Sequence, residues 1–200
     1  MSTVSGSDST RPPASGVRLT YDDFVQFPDD GGRHELIDGE HVVTPSPNMK
    51  HQAVLRNLAG LVWSYLRTHK VGQVFFAPFD VVFSEFDVVE PDLLFVSKER
   101  QSQILTAANV QGAPDLVVEI GSPSTRRRDE IVKRRLYEQF GVAEYWVVDP
   151  ISGALHVYSN PTDGAYKQLP ADTSGFVRSP LLVRRVRILI DDNDHRLLLQ

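Results

Sequence analysis

Two hundred residues suffice for one domain with a sizeable core, and 41% hydrophobic with 24% charged residues is ordinary for a globular chain. The absence of Cys removes disulfide frameworks and thiolate metal sites, and it makes a reducing compartment, the cytoplasm, the default expectation. A net charge of −5 exerts no global pull on nucleic acid or anionic membrane, so a polyanionic partner requires a local basic patch.

The first residues, "MSTVSGSDSTRPPASG", lack the apolar middle of a signal peptide and are rich in Ser, Gly and Pro. Residues 1–17 are therefore expected to be a disordered tail ahead of one domain over 18–200. "TYDDFVQFP" predicts a short helix with Thr20 as cap and Pro28 as stop. "RHELIDGEHVVTP" predicts a hairpin turning at Asp38-Gly39. From Lys50 to His69 the apolar residues Val54, Leu55, Leu58, Leu61, Val62, Tyr65 and Leu66 recur at helical spacing, which predicts a long amphipathic helix. "QVFFAPFDVVFS" and "VVEPDLLFV" then read as two strands joined around Glu85-Phe86-Asp87, and "SKERQSQILTAANVQGA" reads as a loop. "PDLVVEI" predicts a third strand, followed by a helix from about Arg126 to Phe140 with Val132, Leu136 and Phe140 as its stripe. The strand "EYWVVDP", a turn at Ser152-Gly153, an outer strand "ALHVYS" and a closing strand "VRILI" complete the order. No apolar run approaches the ~18 residues that span a bilayer, so no membrane partner is expected. The pattern predicts an α/β domain, one mixed sheet with helices packed on it.

Pro-Asp occurs twice before a buried strand, at Asp92 and at Asp115. Alternate strand residues share a face, so Asp115, Val117 and Glu119 point the same way, yet ~13 Å of strand separates Asp115 from Glu119, too far to share an ion. Asp92 lies on the neighbouring predicted strand, where a lateral spacing of ~4.8 Å brings it to Glu119. Two carboxylates from adjacent strands form a hard oxygen site suited to magnesium, with manganese as a substitute. Buried like charges repel, so the pair requires a compensating cation or proton. On that basis, removing either carboxylate should relieve repulsion in the metal-free protein.

The stretches "HELIDGE", "PNMKHQ", "EPDLLFV", "PDLVVEIGSPST" and "KRRLYEQFGVAEYWVVDP" occur in the order seen in the Uma-two family, which the chain resembles from Leu19 to Ile190. That family is similar to the restriction-endonuclease-like superfamily, named for its PD-(D/E)XK motif. The resemblance implies a restriction-endonuclease-like fold, a central mixed β-sheet flanked by helices, and magnesium-dependent hydrolysis of DNA phosphodiester bonds. In the superfamily motif Lys follows the acidic residue by two positions, and here Gly121 stands there. The resemblance places the substitute Lys on the following helix, at Lys133, where an amine would orient the attacking water and offset developing charge. Alternatively, Lys133 is an exposed helix Lys in the run "KRR". Glu35 matches an acidic position that completes the metal site, or else it is an exposed hairpin carboxylate. His51 opens the long helix, either to touch substrate phosphate or as a hydrogen-bonded His at the helix start.

Arg126, Arg127, Arg128, Lys133, Arg134 and Arg135 place six positive charges within ten positions. The run follows the strand of Glu119 directly, where a phosphate backbone would lie, so Arg126, Arg127 and Arg128 are assigned to DNA contact. The expectation is a metal-dependent endonuclease with Asp92, Glu119 and Lys133 catalytic and with Asp92, Glu119 and Glu35 holding the ion. A homodimer would bring two such sites to a duplex, although no sequence feature marks an interface. Two rivals use the same residues: a nucleic-acid-binding or mobile-element accessory module that does not cut, and a protein-interaction domain on the same scaffold.

Overall fold

Two prolines decide the layout. The computed structural model describes residues 16–28, 30–121, 128–159, 165–182, 184–190 and 195–199; most of the expected tail lies outside them. Helix α1 (Tyr21–Phe24) begins with a capping box: the Thr20 N–H donates to Asp23 Oδ2 at 2.8 Å, and the Asp23 N–H donates back to Thr20 Oγ1. Strands β1 (Arg33–Ile37) and β2 (Glu40–Thr44) pair antiparallel around Asp38 and Gly39, whose φ angles of 55° and 75° form the expected tight turn. Helix α2 (Met49–Thr68) is capped by Asn48, whose side chain accepts the His51 N–H at 3.0 Å, and it buries Val54, Leu58 and Val62.

"QVFFAPFDVVFS" and "VVEPDLLFV" are each two strands rather than one. β3 (Gly72–Phe76) and β4 (Val81–Ser84) flank Pro78, while β5 (Asp87–Val89) and β6 (Leu93–Ser97) flank Pro91. Proline lacks the N–H that a ladder needs, so both arms of the hairpin break at their prolines and resume in another sheet. β3 pairs with β6, and β4 pairs with β5.

The stretch read as a loop contains α3 (Gln101–Ile104) and β7 (Val110–Gln111), which runs parallel to β4. Beyond it come β8 (Leu116–Ile120), a π-helical segment (Arg128–Lys133) leading into α4 (Arg134–Gln139), β9 (Glu144–Val148) and β10 (Leu155–Ser159). β11 (Lys167–Gln168), β12 (Val177–Ser179), β13 (Arg184–Ile190) and β14 (His195–Leu199) follow.

The strands thus build two mixed sheets, β2-β1-β5-β4-β7 and β11-β10-β9-β8-β6-β3, instead of one. "VRILI" does not close either; it belongs to β13 in a separate antiparallel sheet, β12-β13-β14. In the six-stranded sheet alternate residues serve opposite cores. Leu93, Phe95, Leu116, Val118 and Ile120 pack with Val54, Leu58 and Val62 of α2. Leu94, Val96, Val117 and Val147 pack with Leu136 and Tyr137 of α4 and with Val81 and Val89 of the other sheet. Tyr145 and Trp146 are fully buried packing residues. No described helix is long and apolar enough to cross a membrane.

At the start of β9, Glu144 is buried and accepts the Trp146 indole N–H at 2.6 Å and the Leu181 N–H at 3.0 Å, with Ser179 as a further donor. Burial pushes its pKa up, against the hydrogen bonds from Ser179, Leu181 and Trp146. A carboxyl whose folded pKa exceeds its unfolded value stabilises the fold below the ordinary Glu range, and that contribution is lost as pH rises through the raised value. Glu144→Gln removes the titration, so the parent should lose stability relative to the variant as pH rises. Urea melts over a pH series measure this; parallel curves for the two proteins would refute it.

Candidate active site

The functional candidates meet at the seam that the prolines create. β1 of the five-stranded sheet contributes Arg33 and Glu35, two positions apart and so on one face. The Pro91 break contributes Glu90 and Asp92. β8 of the six-stranded sheet contributes Glu119, and the pairing Leu93↔Val118, extended by one residue, sets Asp92 opposite it. Helix α2 adds His51 at its first turn, and the helix after β8 adds Lys133 and Tyr137, one turn apart.

Lys133 is the hub. Its Nζ donates to Glu35 Oε1 at 2.7 Å and to Glu119 Oε1 at 2.9 Å, and the Tyr137 hydroxyl donates to Glu119 Oε1 at 2.6 Å. Glu35 Oε1 also accepts the Glu90 N–H at 2.9 Å. On the other side, Asp92 Oδ2 accepts the Ile120 N–H at 2.7 Å, which locks its carboxylate beside Glu119. Asp92 Oδ1 accepts from the Arg33 guanidinium at 2.7 Å and lies 3.1 Å from His51 Nε2, off hydrogen-bond alignment. Arg33 also donates to the Glu90 carbonyl and lies 2.8 Å from Glu90 Oε1.

Burial excludes the exposed readings of Lys133 and Glu35. Lys133 is 3% exposed and Glu35 1%, so neither is a solvated surface charge. The expected stripe is corrected by one position: Val132 is 42% exposed, and Lys133 takes the inward place. The π-helical segment explains this, because a wider turn rotates the residues after it relative to an α-helical count. His51 is buried against Asp92 rather than presented to solvent. Glu90 is buried on Arg33. Asp115 stays apart, as expected, accepting the Ser97 N–H at 2.7 Å and pairing with Arg100 at 3.2 Å. Arg126 and Arg127 lie outside the described residues, as does the side chain of Arg128.

Arg33 and Tyr137 are the contributors that sequence reasoning misses. A signal for Arg33 exists, since residues 33 and 35 of a strand share a face. Tyr137 follows from Lys133 by helical spacing once Lys133 is known to point inward.

Glu35, Glu90, Asp92 and Glu119 are four buried carboxylates facing two cations, Arg33 and Lys133, a surplus of two negative charges before His51 is counted. Burial works to lower the Arg33 pKa, but Asp92, Glu119 and Glu90 outweigh it and raise the value, so the guanidinium stays charged. Burial opposes ionisation of Asp92, yet His51, Arg33 and the Ile120 N–H together hold its pKa below the ordinary Asp value. Burial raises the Glu90 pKa despite Arg33, and burial with Glu35 nearby raises that of Asp80.

A surplus of buried negative charge calls for a further cation or a proton. Among the described residues no group of three or more His, Asp and Glu side chains is arranged to hold a metal ion. Magnesium asks for less, because it keeps much of its water and takes one or two carboxylates plus substrate phosphate. Asp92 and Glu119 fit that requirement, and Glu35 Oε2 is a buried oxygen with no hydrogen-bond partner among the described residues. The donor set therefore suits a hard divalent ion.

A family model, Uma2, described as "Putative restriction endonuclease", matches residues 21–188. Among solved structures, a "putative nuclease belonging to DUF820" from Anabaena variabilis aligns with a TM-score of 0.68 at 20% identity, covering 82% of this chain and 91% of that one. At that identity the likeness concerns the fold. No curated protein matches.

Proposed function

Since the chain belongs to the Uma2 family and has the restriction-endonuclease-like fold, we propose that it is a metal-dependent endonuclease hydrolysing DNA phosphodiester bonds at Asp92, Glu119 and Lys133. The observation that carries this reading is the buried Lys133 amine bridging Glu35 and Glu119 beside Asp92, in a pocket of excess negative charge.

Asp92 and Glu119 would hold magnesium or manganese, with Glu35 alongside. When bound, the ion supplies Lewis-acid charge to a phosphoryl oxygen. The Ile120 N–H keeps Asp92 turned towards Glu119, and the Tyr137 hydroxyl fixes the Glu119 oxygen that Lys133 also holds. Lys133, anchored at both ends of the acidic pair, would orient the attacking water and offset charge growing on the phosphate. Its origin on a helix makes up for Gly121, which carries no amine. His51, in the first turn of α2, would support the Asp92 carboxylate that it lies against.

The test is nicking of supercoiled plasmid in a magnesium and manganese series, with a chelator control. Ion-dependent nicking supports the proposal. Salt-dependent DNA binding without nicking in either ion would favour a non-cutting nucleic-acid module, and absence of both would favour a protein-interaction domain.

Arg126, Arg127 and Arg128 are assigned to backbone phosphates. Neutralising all three should weaken binding to unrelated DNA sequences alike and flatten the salt dependence, by roughly one unit of log–log slope for each phosphate no longer neutralised. Cleavage at saturating DNA should largely recover. A triple variant with the parent's salt slope would place the DNA elsewhere.

A further inference from the structure

Arg33 stands where a divalent ion would have to arrive. Its guanidinium reaches Asp92 Oδ1 at 2.7 Å, and Glu90 Oε1 lies 2.8 Å from its Nε. The opposite oxygen of Asp92 is already taken by the Ile120 N–H. Both oxygens of the carboxylate best placed to hold an ion are thus engaged by protein donors. Backbone geometry fixes the Ile120 contact, whereas Arg33 is a long side chain, 16% exposed and able to swing.

The charge balance points the same way. Arg33 feels Asp92, Glu119 and Glu90 together, as a cation does at the focus of several carboxylates. A guanidinium is permanently charged and lightly hydrated, so it can stand in for a metal among buried acids. It cannot share Asp92 Oδ1 with a divalent ion, because like charges a few Å apart in a poorly solvated pocket repel strongly.

We infer that Arg33 is a built-in competitor for the divalent ion, holding Asp92 in the metal-free protein and leaving it when the ion binds. The inference rests on the metal reading of this site and extends it to a residue of β1. Arg33 thereby sets the metal affinity: it keeps the empty site folded and lifts the ion concentration needed to fill it. Its departure also frees a guanidinium beside the bound ion, where a phosphate oxygen would be its next partner.

Manganese binding by the full chain, followed by calorimetry and by the loss of free-ion spin-resonance signal, tests this without recourse to cleavage. Arg33→Met keeps the stem and removes the charge; it should bind manganese roughly tenfold or more tightly, as expected for removing one like charge from beside an ion. Without metal the same variant should melt lower than the parent, since Asp92 and Glu90 lose their cation. Equal or weaker manganese affinity in Arg33→Met, in a protein whose binding is abolished by Asp92→Asn, would overturn the role of Arg33 and leave the metal site standing. Binding by neither parent nor variant would overturn both readings. Should Arg33→Met fail to fold, the parent alone decides. The Nε–H resonance of Arg33 should shift or vanish as magnesium saturates the site, and a resonance unmoved at saturation would refute the exchange.

Discussion

Asp92→Ala protein should bind DNA and not cut it, at any magnesium or manganese concentration. The carboxylate lies opposite Glu119 across the β6–β8 ladder, and without it only Glu119, with Glu35 alongside, is left to hold the ion. One negative charge fewer near the substrate backbone leaves affinity unchanged or raises it. The stability of this variant runs opposite to the expectation from repulsion alone. In the metal-free protein Asp92 is paired with Arg33, so removing it strands a largely buried guanidinium beside Glu90. Breaking a buried pair from one side costs about 3–5 kcal/mol, and the partial exposure of Arg33 puts the loss near or below the lower figure. Melting temperatures with and without magnesium separate the two effects. The parent should gain stability with the ion by linkage to the folded state, and the variant should start lower and gain nothing. An equal gain in both proteins would put the ion elsewhere.

What can be read from the sequence is whatever short-range pattern controls. The Thr20 cap, the Asp38-Gly39 turn and the apolar face of α2 depend on neighbours within a few residues, and each is found where expected. The pairing of Asp92 with Glu119 is legible too, because strand spacing and parity fix it once the two strands are neighbours. The division into two sheets is not. Pro78 and Pro91 are visible, but a break within a strand does not say which sheet the next segment joins; that depends on partners far along the chain. The direction of Lys133 is illegible for a different reason. A helical count assumes 3.6 residues per turn, and the π-helical turn before α4 shifts the face by enough to exchange Val132 for Lys133. Arg33 escapes a sequence reading because a cation among carboxylates looks like ordinary hairpin polarity until its burial is known.

Lys133→Met should reduce cleavage by about two orders of magnitude or more, the usual scale for losing one electrostatic stabiliser of the transition state. Met keeps the apolar stem in its place beside Leu136 and Tyr137 and deletes only the charged end. The structure adds a second consequence. Lys133 Nζ lies between Glu35 and Glu119, both almost fully buried, so its removal leaves two carboxylates facing each other with no amine between them. The cost should be about 3–5 kcal/mol at neutral pH. Acidification should return part of it, because a proton between the two acids relieves the repulsion that the Lys133 amine offsets in the parent. A stability difference that narrows as pH falls is therefore the signature of an amine acting between acids, and weakened packing alone would not produce it. The chemical effect is isolated by single-turnover cleavage at a temperature where circular dichroism finds the variant folded. Arg134→Ala serves as the control: that side chain is half-buried over the Tyr158 ring, 5.3 Å from its centroid, and does not face the acids, so cleavage should change little. If Lys133→Met and Arg134→Ala lose activity equally and their stabilities respond alike to pH, the basic run acts only as a phosphate surface. The chemistry would then have to be assigned to Asp92 and Glu119 without an amine to assist them.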